Sequence, residues 1–224
     1  MLDGLRVARP AEILLSAAHD LGLLDVVVLV DVALHRHCTL PELWAAANRC
    51  RRGAPRLRMA LRYADGRAES LWESVLRVLH QACDVPVELQ CVIPDDAGSF
   101  RVDLRVVGTR RLVEYDGADH RYRERHGKDL ARERAFHRLG WQRYGYTSPV
   151  LLYHGLAVLR DADEALAREH DPTRIRPGTS FWPSPCSRRR EARGDRSAGT
   201  PPLAVRLANR RLGSARRQAA APHR

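Results

Sequence analysis

A chain of 224 residues has room for one ordinary domain plus a small module or tails, and its formal charge of +11 is local: residues 172–224 hold 13 Arg against Glu191 and Asp195, leaving 25 basic and 25 acidic side chains before them. That distribution excludes a broad basic groove over the folded part, and the single lysine, Lys128, beside 37 Arg weakens any reading of arginine number alone. Five cysteines (Cys38, Cys50, Cys83, Cys91, Cys186) without C-x-x-C spacing exclude a zinc knuckle or a disulfide framework, and apolar runs as short as Val26–Val30 exclude a membrane span; a reducing cytoplasm is the expected compartment.

Residues 1–64 read as a small helical module. Pro10 opens a run whose apolar positions 13, 14, 17 and 18 keep the helical period, and Gly22 can stop it. Leu23–Leu34 fits a helix by length and a buried strand by Val26-Val27-Val28; we take the helix. Thr39-x-x-Glu42 with Pro41 in the first turn is a capping-box start, ended by Arg51-Arg52-Gly53, and a short helix is expected over Pro55–Tyr63. No catalytic group is evident there.

Residues 65–171 read as an α/β domain with a mixed sheet flanked by helices. A helix from Ser70 to Ala82 buries Trp72, Val75, Leu76 and Leu79 and turns Glu69, Glu73, Arg77 and His80 the other way. Ser70-x-x-Glu73 gives Glu73 either a capping role or a functional one. A strand at Pro86–Ile93, a turn at Pro94–Gly98, a hairpin over 102–117, a helix from Asp129 to Leu139, a strand at Trp141–Thr147 and a helix at Gly155–His170 follow. Beyond residue 171 the Pro, Gly, Ser, Ala and Arg content predicts a disordered basic tail, either a non-specific phosphate holder or a compositional by-product.

The hairpin carries the chemistry. With Gly108-Thr109 as a two-residue II′ turn, 105 pairs with 112 and 103 with 114, so Asp103 faces Glu114. Alternation adds Asp116 to that face and leaves Val102, Leu104, Val106, Val113 and Tyr115 on an apolar one. Opposed side chains lie about 5 Å apart, where like charges repel unless a proton or cation intervenes. The arrangement therefore suits a divalent metal; the competing reading is a solvated sheet face neutralised by Arg105 and Arg110. His120 follows the acids at once, as a proton-transfer group or as a loop histidine satisfying turn backbone. Asp129 and Arg132, three apart on one helix, are either a surface pair or a clamp behind the site.

An acid on the first helix, Asp103 on one strand and Glu114-x-Asp116 on the next resembles the PD-(D/E)XK nuclease superfamily. Glu69-Ser70-x-x-Glu73, Val102-Asp103-Leu104, Val113-Glu114-Tyr115-Asp116-Gly117-x-x-His120, Lys128-Asp129-x-x-Arg132 and Leu139-Gly140-Trp141, about a third of the chain, look like the Vsr-like endonuclease domains called domain of unknown function 559. Residues 10–62 look like the helical region before such a domain in bacterial AbiEi-type antitoxin-like proteins, without room for a winged-helix module upstream. The resemblance implies a restriction-endonuclease-like core and hydrolysis of DNA phosphodiester bonds with Mg²⁺ or Mn²⁺ held by Asp103, Glu114 and Asp116. The superfamily's motif lysine falls at Asp116, a replacement common in this branch, and His120 is implied to take some of its work. Glu73 would order a water, and DNA with a toxin–antitoxin or repair protein would be the partners. The rival expectation is a non-catalytic nucleic-acid-binding or antitoxin-like regulator on the same fold.

Overall fold

The structure, a computed structural model, describes residues 8–95, 98–117 and 123–174, with the helical backbone alone for 123–128; of the tail assigned to 172–224, residues 175–224 lie outside the described residues. The chain divides into two compact units between Ala64 and Asp65.

In the first unit, four helices form where apolar residues recur at helical spacing: α1 (Pro10–Asp20), α2 (Leu23–Arg36), α3 (Leu40–Ala47) and α4 (Ala54–Leu61). The valine run is helical because α2 is the unit's centre, burying Leu23, Leu24, Val26, Val27, Val28, Val30 and Ala33, and packing outweighs the weak β preference of single residues. The Thr39 capping box forms, with the Thr39 N–H and Oγ1 both donating to Glu42 Oε2 at 2.7 and 2.8 Å. The helix it starts is shorter than expected. It ends at Ala47, and Gly53 serves instead as the cap from which α4 begins.

The second unit is mixed α/β: a four-stranded mixed sheet flanked by helices. α5 (Leu71–Gln81) leads to β1 (Val87–Asp95), β2 (Gly98–Val106) and β3 (Arg111–Tyr115), with β2 antiparallel to both β1 and β3. α6 (Arg123–Arg138) then crosses to β4 (Gln142–Tyr146), which pairs with β3 in parallel. α7 (Ser148–Tyr153), α8 (Gly155–Ala165) and a 3-10 turn at Pro172–Arg174 complete it. α6 starts six residues earlier than expected, the helix foreseen from Gly155 to His170 ends at Ala165, and α7 before it was not foreseen. Among the described residues no helix is long and apolar enough to cross a membrane.

The helices take opposite faces of the sheet. Trp72 of α5 stacks on Tyr115 at 5.6 Å between ring centroids, whereas Phe136 of α6 joins Leu112, Val102, Cys91 and Ile93 in one cluster. Leu112 and Tyr115 point oppositely along β3, so that strand is buried on both sides and the single apolar face read from sequence does not exist. Leu104 pairs with Val113 and therefore faces α5, yet Val102, two residues away, belongs to the α6 cluster. The strands turn over between them. Gln90, flanked by the pairs Leu89↔Leu104 and Cys91↔Val102, takes a left-handed φ of 50°, uncommon for a residue with a Cβ. α5 is also covered on both sides: Arg77 and His80, expected on its polar side, are fully buried, since α7 and α8 pack there. Burial holds the His80 imidazole below its ordinary pKa, so it stays neutral.

Candidate functional site

β2 and β3 pair in the expected register, Arg105 with Leu112 and Leu104 with Val113, and the pairing stops one residue short of Asp103 and Glu114. The turn that produces it is different. The Thr109 N–H donates to Val106 O at 3.2 Å, so the loop runs over four residues and Gly108, at φ 81°, occupies the third turn position, where a left-handed φ favours glycine. Both loops give the same pairing because each closes on residues whose numbers have the same sum.

Asp103 is half-buried, and its Oδ2 accepts the Tyr115 N–H at 2.9 Å. Burial pushes its carboxyl up to about 7, and the nearby charges of Glu73 and Glu114 add to the rise, against the Tyr115 bond and Arg132. Glu73 sits at the start of α5. Its amide donates to Ser70 Oγ at 3.2 Å, and its Oε2 accepts the Glu69 N–H and Gln90 Nε2, each at 2.9 Å. Glu73 thus caps the helix and also ties it to the turned-over residue of β1, so both roles read from sequence remain compatible with its position.

Glu114 and Asp116 carry counter-charges that Arg105 and Arg110 do not supply. Arg105 pairs with Glu88 at 2.5 Å, and Arg110 lies over the Trp141 ring. Instead Glu114, with 7% of its side chain exposed, binds Arg132 through Oε1 and Arg143 Nε through Oε2. Arg143 also reaches Asp116 Oδ1 at 2.7 Å. The parallel β3–β4 register explains the contact: Leu112 pairs with Arg143 and Glu114 with Gly145. A Cβ at residue 145 would overlap the Asp116 carboxylate, so glycine makes the room Asp116 occupies.

One open pocket gathers Asp103, Glu114, Asp116, Asp129 and Arg132 with Arg101, Glu133 and Arg143. Five of the residues read from the sequence meet there. Glu73 reaches it through its charge on Asp103, and His120 lies outside the described residues. Arg132 is a partner of Glu114 rather than of Asp129, with a second bond to Arg101 O at 2.7 Å. Arg101 forks onto Glu69 at 2.6 and 2.7 Å. Sequence reasoning missed Arg143 and Gln90. Only the β4 register, joining residues 29 apart, could have revealed the first, and no local signal marks the second.

Oxygen donors alone suit a hard cation such as Mg²⁺, and Asp103 with Glu114 is the pair that fits one. Among the described residues no three His, Cys, Asp or Glu side chains gather closely enough to hold a metal ion, and Glu114 and Asp116 pair with arginines instead. No protein-family model, curated protein or solved structure matches this chain.

Proposed function

We propose that residues 65–174 form a restriction-endonuclease-like domain that hydrolyses phosphodiester bonds of DNA with Mg²⁺ or Mn²⁺. The observation that carries the reading is that Asp103, Glu114 and Asp116 line one pocket. A divalent cation on Asp103 and Glu114 would supply positive charge against the scissile phosphate and acidify a water. Asp116 would orient that water, and Glu73 would order solvent from the α5 side. His120 would give or accept the proton within hydrogen-bond reach of the reacting oxygen. Arg132 would hold Glu114 in place, and Asp129 would stand behind it at the pocket wall. The expected setting is a reducing cytoplasm, with DNA and a toxin–antitoxin or repair protein as partners.

A second reading, a nucleic-acid-binding or antitoxin-like protein without turnover, is favoured by one observation. Glu114 and Asp116 already have cationic partners in Arg132 and Arg143. Cleavage of plasmid and mismatched DNA in Mg²⁺, in Mn²⁺ and in EDTA separates the two. The nuclease reading expects nicking that EDTA stops, and a loss of roughly 100-fold or more in Glu114→Gln and in His120→Ala. DNA binding with no cleavage in either metal would establish the second reading and remove the first.

A further inference from the structure

We propose that the pocket at the start of β3 and β4 is a second binding site, one that holds a phosphate group between the guanidiniums of Arg111 and Arg110. It is independent of the nuclease reading, because Arg111 opens β3 whereas Glu114 and the acidic pocket lie toward the strand's other end.

Arg111 carries the inference. It lines the pocket although only 3% of the residue is exposed, and each of its partners is neutral. Nη1 donates to Asp161 O at 3.1 Å, Nη2 donates to Gln142 Oε1 at 3.2 Å, and the guanidinium lies 3.6 Å from the centre of the Tyr144 ring. The buried Nε–H has no acceptor among the described residues. The carboxylate of Asp161 goes elsewhere, accepting the Tyr146 hydroxyl at 2.7 Å. A guanidinium this buried ordinarily has an anion beside it, because an unpaired charge is costly to bury and neutral acceptors return only part of its lost hydration. The open pocket is the route by which an anion can reach it.

The surroundings suit a phosphate. The exposed Arg110 lies 4.9 Å from the centre of the Trp141 ring, which packs with the α6 cluster, whereas Arg111 reaches α8. Two guanidiniums therefore meet at the end of the sheet from opposite faces, each with its plane steadied by an aromatic ring. A tetrahedral phosphate has oxygens for both forks, while a planar carboxylate serves one fork well. Gly108 and Gly140 line the same pocket, and a Cβ at either would meet nothing within 4 Å, so the entrance is open where they stand. Glu164, an exposed residue of α8, is the acid that an incoming phosphate would have to tolerate.

Calorimetric titration of the full chain with inorganic phosphate, in EDTA and at constant ionic strength, should show one saturable site. Arg111→Gln should weaken it about tenfold or more, and Arg110→Gln about threefold; Glu164→Gln should strengthen it about threefold, since exposed charges act more weakly than buried ones. Arg143→Gln, in the acidic pocket, should leave it unchanged. No saturable binding, equal binding in Arg111→Gln, or a loss in Arg143→Gln as large as that in Arg111→Gln overturns the site. If circular dichroism shows Arg111→Gln unfolded, the two exposed positions decide: opposite shifts in Arg110→Gln and Glu164→Gln uphold the site, and anything less removes it. Fluorescence anisotropy with a labelled DNA single strand, carrying or lacking a 5′-phosphate, then reads the source of the phosphate. A gain of about fivefold from the 5′-phosphate that Arg110→Gln diminishes assigns the site to a nucleic-acid end. Equal affinity for the two strands assigns it to a small free phosphate compound.

Discussion

The second unit encloses two aspartates in opposite company. Asp163 is 1% exposed and receives Arg168 Nε at 2.7 Å, His170 Nδ1 at 2.8 Å and Arg174. Burial alone would raise its carboxyl; the bonds from Arg174, Arg168 and His170 outweigh that and hold it below the ordinary carboxylate range. Asp103 is half-buried, and burial, with the charges of Glu73 and Glu114, pushes it up to about 7 against the Tyr115 bond and Arg132. Arg168 and Arg174 also donate to the carbonyls of Asp84 and Cys83, so Asp163 ties the end of the unit to the stretch after α5. A buried carboxylate that brings its cations with it fastens the fold. One set among acids costs the fold stability, which marks it as a site candidate.

Breaking the fastener should give the largest effect. Asp163→Ala leaves two arginines facing a gap, and removing one member of a buried ionic cluster costs about 3–5 kcal/mol. Urea unfolding should show that loss, and a change below about 1 kcal/mol would place Asp163 with ordinary surface ion pairs. The effect has a pH sign: a carboxylate held low stabilises above its unfolded pKa, and the gain is lost as pH falls through the folded value.

Asp103→Asn should act in the other direction. Above the unfolded carboxylate value near 4 the unfolded chain ionises while folded Asp103 keeps its proton up to about 7, so its penalty grows across that window and is complete above it. In EDTA the variant should exceed wild type by on the order of 1–3 kcal/mol at pH 8, with the difference gone near pH 4. A variant less stable than wild type at pH 8 would show that the bond to the Tyr115 N–H outweighs the repulsion. The smallest effect concerns the chain end. Truncation after Asp171 removes Arg174 but leaves Arg168 and His170 on Asp163, so a loss of about 1 kcal/mol is expected. Truncation after Arg174 should cost less, and equal losses from both cuts would deny Arg174 its part.

The acids were legible in the sequence because their geometry is local. A hairpin brings Asp103 and Glu114 to one pocket within a dozen residues, and even the wrong turn left the pairing of Arg105 with Leu112 unchanged. The capping box at Thr39 and Glu42 was legible for the same reason. The counter-charges were not: Arg143 reaches Glu114 through a parallel pairing whose register no nearby residue specifies, and an arginine-rich chain offers many equivalent candidates. Arg77 and His80 looked solvent-facing because only one side of α5 carries an apolar stripe, while their burial depends on α7 and α8, far along the chain. Arg174 stood in a segment whose composition reads as tail, yet Asp163 holds it. The turn-over at Gln90 is invisible to alternation, which assumes that a strand never changes face.

The parallel pairing of β3 with β4 has a consequence for the order of assembly. β1, β2 and β3 join by short turns, whereas β4 arrives only after α6 has crossed the sheet, and non-local pairings of that kind form late. Asp103, Glu114 and Asp116 leave the ribosome before Arg143 does. Until β4 docks, Glu114 and Asp116 lack that counter-charge, and a partly built sheet exposes its acidic edge to solvent cations. Pulsed hydrogen exchange during refolding should protect the β2 amides before those of β4. The same protection in both would mean that the arginine and its acids are brought together in a single step.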